Sequence, residues 1–499
     1  MRSALAVDGV GIIDGGRNES RAGRSWAWLL SGSMVLIVCI RFLSEDLGLF
    51  PGIVQFVDVP LTFLALLVAT LDFVRNGLGP DGLKLRLILY LFVLVALVSS
   101  LTNATRVGLL PTAMFMYGFA APLVFAAATA NAGLSRESVR LVVRAFFWLG
   151  VLQLAVGIFY GLPRFLASSN PDYVSGTFGR NAYQFTYFLG VWLLYVLAGS
   201  AVESGPKRRG QGFAVGLAAL AVYGLFYAAQ YRAMLIFFTM VILASLWVSP
   251  ARVSRRMMQT IVISAVSVVT LIAVGTSFPN LKLLQVFDLF KDSSPIVESG
   301  KVEVAANVVK MYADMPHTAI VGSGPATFSS RGYTTFSETP DPAKDAAGPL
   351  AASLMGGRQY GTDVARRYVD TISAKPIQGG TTASSPRSSY TSLAAEVGTA
   401  GLLVYLAAYL FAVVFSYRRL VASAKSGDAL GSRLAFACFG GLILLLIQSL
   451  FDNWMETTRV AIPMWILVGA LYALKSADET AILQTVPIAG TEPAAAIRR

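Results

Sequence analysis

Apolar runs of about 20 residues recur along most of this chain. One run of that length crosses the hydrocarbon core of a bilayer as a helix. Backbone polar groups inside a bilayer must be hydrogen-bonded within the chain, which leaves helices or a closed barrel as possible folds. The runs fall at about 26–40, 52–74, 87–102, 109–130, 141–160, 183–199, 212–229, 233–249, 260–276, 394–416, 434–451 and 460–475. The sequence therefore predicts an all-α polytopic membrane protein with about 12 transmembrane helices.

Composition agrees with this fold class. Hydrophobic residues make up 55% of the 499 residues and charged residues only 14%, which excludes an ordinary soluble domain. The formal charge of +12 could suggest a nucleic-acid-binding protein. The positions of the basic residues argue against that class.

Lys and Arg residues are distributed unequally between the two sides of the predicted bundle. If the N-terminus is inside, 23 of the 40 fall in inner segments, six in short outer segments and 11 in the polar insert 277–393. Because cytoplasmic loops carry an excess of Lys and Arg, both termini are expected to be cytoplasmic and the insert to lie outside. The positive charge is thus a topology signal, and we expect no nucleic-acid partner.

The sequence divides into five segments. They are a disordered tail 1–25, spans 26–276, the large outer loop 277–393, spans 394–475 and a second disordered tail 476–499. Apolar residues at helical spacing predict short helices in the outer loop at 282–290, 300–315 and 363–375. Segments rich in Gly, Ser, Thr and Pro at 323–361 and 376–389 are interpreted as loops.

Outer arginines are the first candidates for chemistry. Arg180 and Arg232 stand beside apolar spans, and Arg164 and Arg387 also fall on the outer side. An arginine at bilayer depth is costly and therefore indicates function, since guanidinium groups match phosphate oxygens. The alternative is a side chain that extends to the lipid headgroups, which we favour for Arg164.

The sequence contains few residues that could bind a metal ion or form a disulfide. His317 is the single histidine, has no partner nearby in sequence and is interpreted as structural or solvated. Cys39 and Cys438 lie in apolar runs, so neither a zinc site nor a disulfide is expected. Aspartate pairs in the insert are more typical of solvated loops. We expect no metal and no cofactor.

Four stretches in this order resemble the bacterial O-antigen ligase and polymerase family. They are Gly-Thr-Phe-Gly-Arg-Asn at 176–181, Tyr-Arg-Ala at 231–233, Val-Gly-Ser-Gly-Pro-Ala-Thr-Phe at 321–328, and Ser-Tyr-x-x-Leu-x-x-Glu-x-Gly-x-x-Gly at 389–401. The resemblance covers about residues 170–475. It implies a multi-pass enzyme of the bacterial inner membrane that transfers a glycan from a polyprenyl diphosphate to a sugar hydroxyl.

The resemblance also suggests roles for individual residues. Arg232 and Arg180 would bind the diphosphate, while Arg387 and Glu396 would serve the transfer. Proton removal would fall to Glu396 or to no residue, and the alternative for Glu396 is an acid that stabilises a helix N-terminus. Asn181, Tyr390 and Arg164 are acceptor or loop candidates. Ligases usually carry His-Asn before the tyrosine of the fourth stretch, where this chain has Arg387 and Ser388. That departure favours a polymerase of exopolysaccharide or O-antigen repeat units, or a divergent member of the family, over a ligase. The poor set of metal ligands favours a metal-independent enzyme.

Other functions remain open at this stage. A ligase that transfers the glycan to a lipid or protein acceptor would share the same site. A flippase of lipid-linked sugars is a third alternative, although transporters often show internal repeats and this sequence shows none. A structural membrane protein is a fourth. The expected partners are the polyprenyl-diphosphate-linked glycan, membrane lipids, and a chain-length regulator and flippase of the same pathway.

Overall fold

A computed structural model of the chain describes residues 21–51, 54, 56–76, 80–179, 181–202, 211–229, 231–248, 300–337, 360–370, 372 and 388–485. Within these ranges every regular element is a helix. The helices are α1 Arg21–Arg41, α2 Asp58–Asn76, α3 Pro80–Thr102, α4 Leu109–Asn131, α5 Arg136–Val156, α6 Leu162–Ser168, α7 Ala182–Val202, α8 Gln211–Ala228, α9 Arg232–Val248, α10 Lys301–Asp314, α11 Thr318–Val321, α12 Arg331–Ser337, α13 Asp363–Tyr368, α14 Ser389–Ser426, α15 Ala429–Gln448 and α16 Thr458–Thr485.

Eight helical segments in the described part of the chain are long and apolar enough to cross a membrane. They are Gly23–Asp46, Lys84–Thr102, Leu109–Asn131, Arg136–Ser168, Ala182–Gly199, Ser389–Ser426, Ala429–Gln448 and Thr458–Lys475. Three shorter apolar helices, Asp58–Val68, Phe213–Ala228 and Met234–Ser245, coincide with further predicted spans. The predicted span 260–276 lies outside the described residues. An all-helical membrane-type fold is confirmed.

The outer surface of the bundle is apolar. Leu101, Phe159, Phe213 and Trp247 are between 77% and 91% exposed. A contiguous apolar surface of this kind is unfavourable in water and is the normal lipid-facing surface of a membrane protein.

Helix α16 occupies the centre of the bundle and packs against α4. Gly469 permits the close approach, because a Cβ there would meet the carbonyl oxygen of Ala126 at 2.6 Å. Tyr405 of α14 packs on the rings of Phe92 and Phe119, with centroids 5.0 and 5.2 Å away. Aromatic packing therefore joins α3, α4 and α14 around the central helix.

Helix α14 contains a kink at Gly398, where φ is 68° and ψ is −177°. The turns before Gly398 pack with the insert, and the longer part after it packs in the bundle. Ser388 caps the start of the helix, since its hydroxyl accepts the N–H of Tyr390 at 3.3 Å. The insert thus enters the membrane region through a bent helix.

The described helices of the insert form a small core of their own on the end of the bundle. It contains Val304, Val308, Met311, Phe328, Val364, Tyr368 and Ala395. Because Ala395 belongs to α14, this core is continuous with the bundle. The predicted helix 300–315 is confirmed as α10, whereas 282–290 lies outside the described residues.

The prediction of a loop over 323–361 is wrong at α12. Residues 331–337 contain glycine and two threonines, which are weak helix formers. Gly332 is buried where any Cβ would lie 2.7 Å from the carbonyl oxygen of Pro111, so packing against α4 overrides propensity. The helix predicted at 363–375 ends at Tyr368. Helices also extend into both predicted tails, since α1 begins at Arg21 and α16 continues to Thr485.

Candidate functional site

Glu396 lies in the first turns of α14 and is fully buried. Its carboxylate accepts hydrogen bonds of 2.5 to 3.1 Å from the backbone N–H groups of Ala326, Phe328, Ser329 and Ser330. A buried carboxylate is stable when it is hydrogen-bonded in this way. Both of its oxygens are therefore engaged in holding one loop of the insert.

Two glycines allow this loop to approach α14. Gly322 and Gly398 have φ values of +77° and +68°, in the left-handed region that favours glycine. A Cβ on either residue would collide with the backbone of the other segment. The backbone N–H of Ser323 donates to the carbonyl of Ala395 at 2.8 Å. The third and fourth family-like stretches are thus one structural junction.

The junction positions Arg331, which directly follows the held loop and begins α12. The backbone N–H of Arg331 donates to Oε2 of Glu456 at 2.9 Å. Its side chain hydrogen-bonds to Tyr183 and lies within electrostatic reach of Glu456 and Asp452. Residues far apart in sequence therefore fix both the backbone and the guanidinium group of Arg331.

Arg331 borders a polar cavity of about 140 Å³ at the end of the bundle that carries the insert. The cavity is lined by Arg41, Phe56, Asp58, Met114, Tyr117, Gly118, Gln184, Arg331, Thr335, Glu456, Thr457, Thr458 and Arg459. Guanidinium groups present planar sets of donors that match the oxygens of carboxylate and phosphate groups, and three of them line this cavity.

Arg41 and Arg459 come from the C-terminal end of α1 and the N-terminal end of α16. Arg41 forms an ion pair with Glu45. Arg459 lies within electrostatic reach of Arg41 and Arg331, and among the described residues it forms no hydrogen bond or ion pair. Arginines this close to one another repel each other, so an anionic ligand in the cavity would stabilise the arrangement.

Two acids also line the cavity. Asp58 accepts a hydrogen bond of 2.6 Å from the hydroxyl of Thr458. Glu456 is 2% exposed, and its Oε1 has no hydrogen-bond partner among the described residues. Burial raises the pKa of Glu456 to about 8, against the opposing effect of Arg331. Burial therefore makes Glu456 a weaker acid than an exposed glutamate.

Aromatic side chains surround Trp454, two residues before Glu456. The rings of Tyr183, Tyr187 and Tyr231 have centroids 5.5, 5.5 and 6.3 Å from that of Trp454. The hydroxyl of Tyr231 donates to Gln448. Tyr231 of the second family-like stretch therefore belongs to the same aromatic cluster as Tyr183, the hydrogen-bond partner of Arg331.

The first family-like stretch borders the same site. Gly179 packs closely against the Arg41–Glu45 pair, and its φ of +50° suits glycine. The backbone N–H of Thr177 donates a hydrogen bond of 2.8 Å to Oε1 of Gln153 on α5, which fixes this turn against the bundle. The described parts of all four family-like stretches therefore lie around one end of the bundle.

The structure describes only some of the residues predicted to bind the diphosphate or to serve the transfer. Arg180 and Arg387 lie outside the described residues. Arg232 is the first residue of α9, and no contact of its side chain is described. Their roles stay predictions. Glu396 is linked to the site indirectly, because it holds the loop that carries Arg331. The described backbone N–H groups that donate to its carboxylate all belong to that loop.

The remaining candidates lie away from the cavity lining. Asn181 donates to the carbonyls of Phe178 and Gly179 in its own turn. Tyr390 donates to the carbonyl of Leu446 at 2.8 Å. Arg164 stacks on Tyr160, 4.6 Å from its ring centroid, and pairs with Asp46 at 3.3 Å.

His317 is exposed at the start of α11. In the described part of the chain, no three His, Cys, Asp or Glu residues are grouped so that they could hold a metal ion. Cys39 and Cys438 are buried free thiols.

Sequence reasoning counted Arg41 and Arg459 among the six outer arginines but did not connect them with Arg331 or Glu456. A signal was present, because both arginines directly border apolar spans, as Arg232 does. The convergence of residues 41, 331 and 459 on one cavity depends on tertiary packing and could not be inferred from their spacing in the sequence.

Neither protein-family models nor curated proteins match this chain.

Proposed function

We propose that this protein is a membrane glycosyltransferase that polymerises polyprenyl-diphosphate-linked repeat units into exopolysaccharide or O-antigen. The observation that supports it best is the convergence of Arg41, Arg331 and Arg459 on one cavity at the end of an apolar bundle. The resemblance of four short stretches to polymerases and ligases supports the same reaction class.

The chemistry of a diphosphate leaving group fits this cavity. When the bond between the sugar and the diphosphate breaks, negative charge develops on the leaving oxygen. Fixed guanidinium groups stabilise that charge without a metal, and loss of one such donor raises the barrier by about 2.7–4 kcal/mol. The lipid chain of the substrate would remain beside the apolar helices while the diphosphate occupies the cavity.

The proposed topology has 12 spans, both termini in the cytoplasm of a bacterium and the insert outside the inner membrane. Arg136, the first residue of α5, forms an ion pair with Asp428, which lies in the turn between α14 and α15 at the end opposite the insert. Both residues fall in segments predicted as cytoplasmic. The cavity would then open toward the outer face, where lipid-linked repeat units are polymerised.

A polymerase is preferred to a ligase because Arg387 and Ser388 occupy the positions at which ligases usually have His-Asn. The cell-surface glycan of a deletion strain tests this choice. Single repeats without long chains support a polymerase, long chains retained on the lipid carrier support a ligase, and repeats retained in the cytoplasm support a flippase. Partnership with a chain-length regulator and a flippase forms part of the same proposal.

The direct test uses the purified chain and a lipid-linked repeat unit. We expect the wild type to bind polyprenyl diphosphate and to form polymer. We expect Arg459→Ala to lose both. A wild-type protein that neither binds polyprenyl diphosphate nor forms polymer would contradict the proposal.

A further inference from the structure

Glu456 stands out among the buried acids because only one of its oxygens has a described partner. Oε2 accepts the backbone N–H of Arg331 at 2.9 Å, whereas Oε1 has no hydrogen-bond partner in the part of the chain that the structure describes. The residue is 2% exposed and lines the 140 Å³ cavity. Glu456 is therefore a buried, half-satisfied carboxyl group in the lining of the cavity.

Comparison with Glu396 shows why this matters. Glu396 is equally buried, but its two oxygens together accept four backbone N–H groups. A buried polar atom without a hydrogen-bond partner is unfavourable. A substrate hydroxyl that donates to Oε1 would remove this cost in Glu456, whereas Glu396 has no comparable vacancy.

We propose that Glu456 is the general base that removes the proton from the acceptor hydroxyl, an inference that rests on the glycosyl transfer proposed above. The acceptor O–H proton moves to the Glu456 carboxylate as the acceptor oxygen bonds to the anomeric carbon of the donor. The bond between that carbon and the diphosphate oxygen breaks, and the electron pair leaves with the polyprenyl diphosphate.

The position of Glu456 suits this step. Its hydrogen bond to the backbone of Arg331 places the base next to one of the proposed diphosphate ligands. An acceptor hydroxyl on Oε1 and a diphosphate on the arginines would therefore be neighbours in one cavity. Proximity of this kind lowers the barrier because the reacting groups are already oriented.

The surroundings of Glu456 make it a stronger base than an exposed glutamate. Burial raises its pKa to about 8; Arg331 opposes this effect, while Glu396 and Asp452 add to it. Across the cavity the charged groups are Arg41, Asp58 and Arg459, and Tyr405 lies within electrostatic reach. A pKa near the working pH is favourable for a general base.

The test uses the full chain in lipid nanodiscs and the nearly isosteric variant Glu456→Gln. We expect this variant to bind polyprenyl diphosphate within about twofold of the wild type, and to transfer glycan about 10²–10⁴-fold more slowly, the usual contribution of a general base. A glutamine oxygen can still accept the Arg331 N–H, so folding should be preserved. Wild-type transfer rates in Glu456→Gln would overturn the proposal.

A pH profile separates a base from a structural residue. We expect the wild-type transfer rate to rise about tenfold per pH unit below the pKa of Glu456 and to level off above it. The residual rate of Glu456→Gln should not show this rise. If the variant fails to fold, the wild-type profile decides, because a flat profile between pH 6 and about 8 would overturn the assignment.

The two proposals fail in different ways. A wild-type chain that binds polyprenyl diphosphate and makes polymer, together with an equally active Glu456→Gln, overturns only the assignment of the base. A wild-type chain with neither binding nor transfer overturns the glycosyltransferase itself. Equal loss of binding and transfer in a folded Glu456→Gln would show that Glu456 binds the donor and is not its base.

Discussion

The Glu396 carboxylate accepts a hydrogen bond of 2.9 Å from the backbone N–H of Ser330, which directly precedes Arg331. A residue near the start of a long bundle helix thereby fixes the backbone next to a cavity arginine. Glu396 is thus a positioning residue in this structure, and its contribution to activity should pass through Arg331.

Glu396→Gln should damage donor binding and transfer together. Both carboxylate oxygens of Glu396 accept N–H groups of the loop, whereas the side-chain nitrogen of glutamine is a donor. The loop N–H groups beside that nitrogen would therefore face a donor instead of an acceptor. We expect a loss of about 1–3 kcal/mol in stability, the cost of an unsatisfied buried group. Thermal unfolding and polyprenyl diphosphate binding measure the two effects. If Glu396 were the base, binding would survive and only turnover would fall.

Arg331→Lys should be impaired nearly as badly as Arg331→Ala, because a lysine does not reproduce the planar fork of donors. We expect each to lower transfer by about 10²–10³-fold, as for a lost oxyanion-type donor. Arg367→Ala is the matched control, since Arg367 is 62% exposed and forms a surface pair with Asp314 at 2.7 Å. Steady-state polymer formation provides the measurement, and full activity in Arg331→Ala would contradict the site.

Gly398→Ala should destabilise the protein, because the new Cβ would collide with the backbone of Ile320 and the φ of +68° is unfavourable for alanine. Gly224→Ala provides the control, as nothing lies within 4 Å of the added Cβ. We expect a lower melting temperature and less folded protein for Gly398→Ala alone. Equal melting temperatures for the two variants would mean that the junction at Gly322 is not needed for stability.

Cysteine labelling tests the orientation with two exposed positions at opposite ends of the bundle. Ala313 lies on α10 of the insert, and Ser426 lies at the end of α14. We expect an impermeant maleimide to label Ala313→Cys in intact spheroplasts and Ser426→Cys only after lysis. The reverse pattern would show that the insert is cytoplasmic. The native cysteines are buried and should give a low background.

Treatment with EDTA should leave polymer formation intact, because the proposed charge stabilisation comes from guanidinium groups. The assay compares initial rates before and after removal of divalent ions. Loss of activity that Mg²⁺ or Mn²⁺ restores would instead require a metal at the diphosphate.

The sequence predicted the membrane class and many helix positions because long apolar runs determine both locally. It did not predict α12, because the residues of this helix have low helix propensity. The helix depends instead on the packing of Gly332 against α4. The cavity escaped prediction for a related reason. Arg41 and Arg331 are 290 residues apart and Arg331 and Arg459 are 128 residues apart, and tertiary packing brings them to one cavity. Glu396 was predicted to serve the transfer from its position in the sequence. Its carboxylate binds the loop before Arg331, a contact that sequence spacing could not predict, and its role in the reaction stays a prediction.

The three cavity arginines occur early, in the middle and late in the chain, which has a consequence for biosynthesis. Arg41 leaves the ribosome long before Arg331, and Arg331 precedes the helix that carries Glu396. Arg459 arrives only with α16. The cavity therefore cannot be complete while the chain is still being inserted, and a nascent chain would lack the full set of cavity arginines until its last described helix has joined the bundle.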